Sequence, residues 1–395
     1  MKIVFLILKI VLVLAIIAAG LAVWLWPRHS YLEPSTRYFE ATRLAGNPII
    51  SDATCDAPGV DRAACLSELS AQGYINVSGP SLIRVPAWAD VPLGNYYLYF
   101  AHHKGDSIRL AYADDIHATW SVHPGGVLSL ADSGFPVEYV EPESDNQALG
   151  DIWDEFSIHV VRDYLIMNYQ ATVRDRRARE ARGLAPAAAS VPHLASPEVV
   201  IDQLGQRFIM FYHGLEYGNR QLTRIAVSED GLRFNATNAT VPSPYVRHFE
   251  LRGKHYLLGM PGVLFRADDI LGPYEPRDQI LFDPTMRHSA LLLEGDSLFV
   301  FFSRAGDSPE RILFSEVDVS SDDWDSWQAT DGFDVIKPEE YWEGASLQTL
   351  PSLRGEVTGN ANEIRDPYVF IDQDGVTYLL YSAGGEKAIG AAILN

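Results

Sequence analysis

The sequence predicts an all-β chain, a five-bladed β-propeller preceded by an N-terminal transmembrane helix. Three observations carry that expectation: a strand pair that recurs five times, middle strands that are continuously apolar, and an acidic turn closing most third strands. A period of about 40–50 residues marks propellers or solenoids, and a strand-rich, helix-poor pattern selects the propeller. A β-sandwich, or two stacked β-domains, is the alternative architecture.

Residues 1–30 stand apart. Lys2 and Lys9 flank short apolar segments, and Ile10 to Trp26 carries no charged side chain. At ~1.5 Å per residue, Ile3 to Trp26 is long enough to cross a ~30 Å hydrocarbon core. Ala18-Ala19-Gly20 is the competing reading, a signal cleavage site, but the apolar run continues past it to Trp24 and Trp26, which suit a membrane interface. The expectation is an uncleaved anchor with the body outside, periplasmic or extracellular. Lys2 and Lys9 favour that orientation, and Arg28 works against it.

Residues 31–73 read as a linker. Its Cys55 and Cys65 are the chain's only cysteines. In an exported chain, two thiols so close together predict one local disulfide stapling a loop that lacks its own core.

Residues 74–395 hold the repeat. Gly79-Pro80-Ser81-Leu82-Ile83 precedes Tyr96 to His102, and Ser196-Pro197-Glu198-Val199-Val200 precedes Phe208 to His213. Tyr245 to Phe249 precedes His255 to Met260, Arg287 to Leu291 precedes Leu298 to Ser303, and Arg365 to Val369 precedes Tyr378 to Ser382. A middle strand covered by a neighbouring blade on both faces must be apolar throughout, as these are. An insertion at about 121–192 breaks the period, and within it Asp175 to Ala181 predicts a short exposed helix.

In a propeller the first residues of each innermost strand and the turn after the second strand meet at one face. That rule gathers His193, Glu198, Arg247, Arg287, His288 and Asp366 with His102, His103, His213 and Arg304. Glycosidic hydrolysis needs a proton donor and a carboxylate that activates water or attacks the anomeric carbon. Asp366 and Glu198 supply carboxylates, and His288 can move a proton near neutral pH. The remaining histidines and arginines would bind substrate, the arginines through carboxylate or sulfate groups. Glu343, in Tyr341-Trp342-Glu343-Gly344, is a further binding candidate at the rim. Several histidines around one axis can also hold a divalent metal, although no tight His-x-His or His-x-x-x-His spacing occurs. No cofactor is otherwise expected. The formal net charge of -21 argues against nucleic acid, because no basic excess exists to neutralise phosphates.

Arg365-Asp366-Pro367-Tyr368-Val369-Phe370, followed by Gly375 to Ser382, resembles the strand-opening motif of five-bladed glycosidases: glycoside hydrolase family 43 and its levansucrase and invertase relatives. The Gly79 and Ser196 segments look like degenerate copies. The resemblance implies a carbohydrate substrate and a propeller over roughly residues 74–395. It also implies an Asp before the first-blade Pro, another before a later Pro, and a Glu in the third blade. Here those places hold Gly79, Ser196 and, approximately, Arg247. The expectation is therefore a divergent glycosidase with a rebuilt site, or a propeller that binds glycan without cleaving it, or a metal-dependent hydrolase or lyase.

Overall fold

The structure, a computed structural model, describes residues 31–32, 37–71, 73–141, 156, 158–185, 191–218, 220–283, 285–357 and 359–395. The expected membrane helix lies outside them. Among the described residues no helix is long and apolar enough to cross a membrane.

Five antiparallel sheets form five blades. Their first strands are Ser78–Arg84, Leu194–Asp202, Arg247–Leu251, Met286–Glu294 and Ile364–Ile371. Each touches the first strand of the next blade, and the last touches the first, so these strands ring a common axis. The middle strands Tyr96–Ala101, Arg207–Tyr217, Lys254–Gly259, Ser297–Arg304 and Thr377–Ala383 are buried over most of their length. Five apolar cores fill the interfaces: one holds Tyr99 and Met210, the others Phe211 and Leu257, Leu258 and Val300, Phe301 and Leu379, and Leu380 and Leu98. Stacking on both faces is the physical reason those strands do not alternate.

Closure was not visible in the sequence. The outer strand of blade V is Ala41–Arg43, which pairs antiparallel with the C-terminal strand, Ala41 opposite Leu394 and Arg43 opposite Ala392. A strand from near the N-terminus and the C-terminal strand are thereby hydrogen-bonded into one sheet. Next to it the expected disulfide is formed, Cys55 to Cys65 with Cα atoms 5.5 Å apart, tying a 3₁₀ turn to the helix Arg62–Leu69, α1.

The insertion carries a longer helix than expected, Ile158–Ala181, α2. Ala171 and Ala178 are buried, so α2 packs on the body where the sequence predicted a short exposed helix. Its C-terminal end grips the loop before blade V. Arg182 Nη2 donates to the Pro351 carbonyl at 2.6 Å, and the Arg354 amide donates to Asp175 at 2.9 Å.

Candidate active site on the propeller axis

The first strands open on a repeated irregularity. Gly79, Ser196, Tyr245 and Asp366 all have left-handed backbones, with φ of 60°, 44°, 56° and 53°. Pairing slips at this point in blades I, II and V, as a β-bulge does. Gly79 has no room for a side chain, because a Cβ there would lie 2.8 Å from the Ser196 Cα. For the other three the conformation costs of order 1–3 kcal/mol each, and such strain collects at functional sites. The bulges turn these residues onto the axis.

One layer of side chains forms there. His103 of blade I faces His288 of blade IV with ring centres 6.5 Å apart, Tyr245 lies 4.2 Å from His288, and His213 of blade II lies 3.9 Å from Tyr245. His193 closes the chain of rings, 5.7 Å from His213. His288 Nδ1 contacts Asp366 Oδ1, and Asp366 Oδ2 accepts from the Gly79 amide at 3.4 Å. Residues from all five blades therefore share one centre. Asp366, His288 and His213 are all but fully buried.

Burial sets the protonation of these rings. It pushes His288 and His213 well below the usual histidine range, reinforced at His288 by Arg287 and at His213 by His193. It lowers His193 and His102 to about 4. These imidazoles are neutral at pH 7. Both His213 nitrogens are buried without a hydrogen-bond partner, and so is His102 Nε2. His193 Nδ1 lies 2.6 Å from the Val191 carbonyl, and His102 Nδ1 accepts from the Lys104 amide at 3.0 Å.

Two residues further along each strand lies a second, closed layer, and it corrects two expectations. Arg247 points down the axis as a central peg. Its guanidinium donates to the carbonyls of Ser289 at 2.8 Å, Pro197 at 3.0 Å, Pro80 at 3.2 Å and Pro367 at 3.4 Å. It also binds Glu198 at 2.7 Å and lies over the Tyr368 ring at 5.0 Å. Every donor is used, so Arg247 joins blades instead of holding substrate. Glu198, expected to be catalytic, is the counter-ion of that peg; burial raises its pKa while Arg247 opposes the rise.

A third group sits between blades IV and V, and the sequence reading missed most of it. Arg365 lies among Glu310, Glu363 and Glu386 at 3.0, 2.7 and 3.1 Å, all four fully buried. Arg287 reaches Glu310 at 3.2 Å and the Leu353 carbonyl at 3.0 Å, which leaves it committed to structure. Glu386 also pairs with His103 at 3.3 Å and accepts from Asn76 at 2.7 Å. Burial raises the Glu363 pKa, and Glu310 and Glu386 add to the rise. Glu386 goes the other way: against the cost of burial, His103 and Arg365 hold its carboxyl far below the carboxylate range. Arg365 also donates to the Gly355 carbonyl at 3.1 Å, so the segment from Pro351 to Gly355 is pinned as a strap against the start of blades IV and V. Glu386 lies in a turn and Glu310 and Glu363 in an isolated parallel bridge, all three outside the repeated strands that the sequence rule used.

The other two candidates lie off the axis. Glu343 is fully buried at the closure. It accepts from Arg43 at 2.8 and 2.9 Å, Tyr381 at 2.8 Å and the amides of Glu339 and Glu340. Burial alone would raise its pKa, but Arg43 and those amides hold it low. Nothing remains to bind a sugar at the rim. Arg304 points outward into a groove beside the mouth, paired with Asp331 at 2.9 Å. Among the described residues no group of three or more His, Cys, Asp or Glu side chains is arranged to hold a metal ion.

A glycosyl hydrolase from Bacteroides ovatus superposes with a TM-score of 0.53 over 93% of this chain and 96% of that one, at 10% identity. The two chains share the five-bladed propeller fold. A thermostable family-43 glycoside hydrolase also matches, at TM-score 0.47 and 10% identity over 81% of this chain and 89% of its own. In sequence, an uncharacterized protein of Acanthamoeba polyphaga mimivirus is 28% identical over 348 residues, 81% of this chain and 84% of that protein. No family model matches. At such low identity the solved structures speak for the fold, and the chemistry rests on the axial residues.

Proposed function

We propose that the chain is a glycoside hydrolase-like enzyme acting on an extracytoplasmic polysaccharide or oligosaccharide, with Asp366 and His288 as its acid–base pair. The observation that carries this reading is the Asp366–His288 contact at the point where all five blades meet. A carboxylate against Nδ1 fixes the imidazole tautomer and leaves Nε2 to take a proton from water or return it. Hydrolysis also needs an acid for the leaving oxygen. Glu363 is bound to Arg365 at 2.7 Å, so in this reading His288 is the proton donor and Asp366 the carboxylate partner.

The membrane anchor and export remain part of the proposal. The apolar run before Trp26 and the disulfide support them. A second reading, a propeller that binds glycan without cleaving it, is favoured by Gly79 and Ser196, which place no carboxylate at two of the bulges. The full chain, in detergent, assayed for reducing-end release on a polysaccharide panel with and without chelator, separates the readings. Release that survives chelation supports hydrolysis by Asp366 and His288, and chelator-sensitive release supports a metal enzyme. Binding with no release supports the lectin-like alternative.

A further inference from the structure

Beside the mouth, between α2 and blade IV, lies a groove of ≈ 460 Å³ lined by Arg174, Arg177, Arg304, Asp283 and Asp307. Its two acids are engaged. Asp283 accepts from the Thr285 amide at 2.7 Å and faces Arg304 Nε at 3.9 Å, and Asp307 pairs with Arg311 at 3.1 Å. Arg304 spends Nη2 on Asp331, while its Nε is buried without a hydrogen bond. Against the cost of burial, Thr285, Arg304 and Arg174 hold the Asp283 carboxyl below its usual range, so Arg174 already faces one acid of the groove. Arg179 is bound to Asp175 at 2.7 Å, Arg176 faces Glu180 at 3.9 Å, and Arg182 holds Pro351. Arg174 and Arg177, three positions apart on α2, share one helix face and are exposed to the groove.

A cationic pair aimed into a concave site is unexpected on a chain with 52 acidic and 31 basic residues. In such a field, a groove that attracts anions needs a local reason. The wall opposite α2 includes Pro351, the first residue of the strap against blades IV and V, so the groove runs alongside the mouth.

We infer that this groove is a subsite for an acidic sugar, one bearing a carboxylate or a sulfate ester, two residues of α2 and Arg304 gripping the oxyanion. This rests on the glycan-active reading and names the substrate class. A guanidinium offers paired N–H donors matched to such groups, and the pairing strengthens where water is partly excluded.

The test is calorimetric titration of the full chain in detergent with an oligogalacturonate, a sulfated oligosaccharide and a neutral xylo-oligosaccharide of equal length. R174Q/R177Q removes both cations from an exposed face, and R176Q/R62Q, which removes two exposed cations outside the groove, controls for net charge. The inference expects the acidic ligands to bind at least tenfold more tightly than the neutral one. It expects R174Q/R177Q to abolish that preference, R176Q/R62Q to keep it, and added salt to weaken it. The stronger of the two acidic ligands identifies the oxyanion. Equal binding of neutral and acidic chains, unchanged binding by R174Q/R177Q, or no binding of any acidic chain overturns it. Acidic ligand bound but not cleaved leaves the subsite standing and removes the hydrolase reading; neutral ligand cleaved with acidic ligand ignored does the reverse.

Discussion

Arg247 and Glu198 form an ion pair of 2.7 Å on the propeller axis, one from blade III and one from blade II, and the same guanidinium reaches main-chain oxygens of the other three blades. A single side chain thus ties the five sheets together beneath the mouth. Removing one partner of a buried pair leaves an uncompensated charge, which costs about 3–5 kcal/mol. R247M should lower unfolding stability by that amount in denaturant titration, and R247M/E198Q should recover part of it. A change below about 1 kcal/mol would remove the peg from this description.

The closure makes a parallel prediction. Glu343 binds Arg43 of the N-terminal strand and Tyr381 of blade V, so E343A should loosen the joint between the chain ends. The expected loss is about 3 kcal/mol. Hydrogen exchange should rise first in Ala388–Leu394, the strand to which Ala41–Arg43 pairs.

Reduction tests the staple. A loop of this size closed by Cys55–Cys65 contributes about 2–3 kcal/mol by loop entropy. C55S/C65S should lower the melting temperature while leaving the axial site and any turnover intact, because α1 packs at the outer junction of blades V and I.

Buried neutral histidines predict the pH response. His213 and His288 have folded pKa values well below their unfolded value of about 6.5. Below that pH the unfolded chain binds protons that the folded one refuses, so stability falls as pH drops. Each such histidine contributes about 1.4 kcal/mol per pH unit over that window. Melting temperature should decline from pH 6.5 toward 5, and H213Q should flatten the slope. A flat profile in the native chain would mean that the rings are solvated.

The blades were legible because burial on both faces writes an apolar middle strand, as in Tyr96-Tyr97-Leu98-Tyr99-Phe100. The convergence of His103, His213, His288 and Asp366 followed from the antiparallel order of those strands. Whether an axial residue faces the mouth or the layer beneath was not legible. Glu198 lies only two positions past Ser196, and period-two geometry sends both inward, one open and one capped by Arg247. Glu386 sits in a turn, and Glu310 and Glu363 form an isolated parallel bridge outside the blade strands, where no periodicity marks orientation. The closing strand Ala41–Arg43 is three residues long, too short to show alternation.

The most direct measurement pairs binding with turnover in D366N, with native protein alongside. Asn keeps the shape at Asp366 but no longer supplies the charge that orients His288. The account predicts unchanged oligosaccharide affinity with turnover reduced at least ~100-fold, the scale of a lost acid–base partner. Native-like turnover in D366N, or a native protein that binds glycan and releases no product, would contradict it.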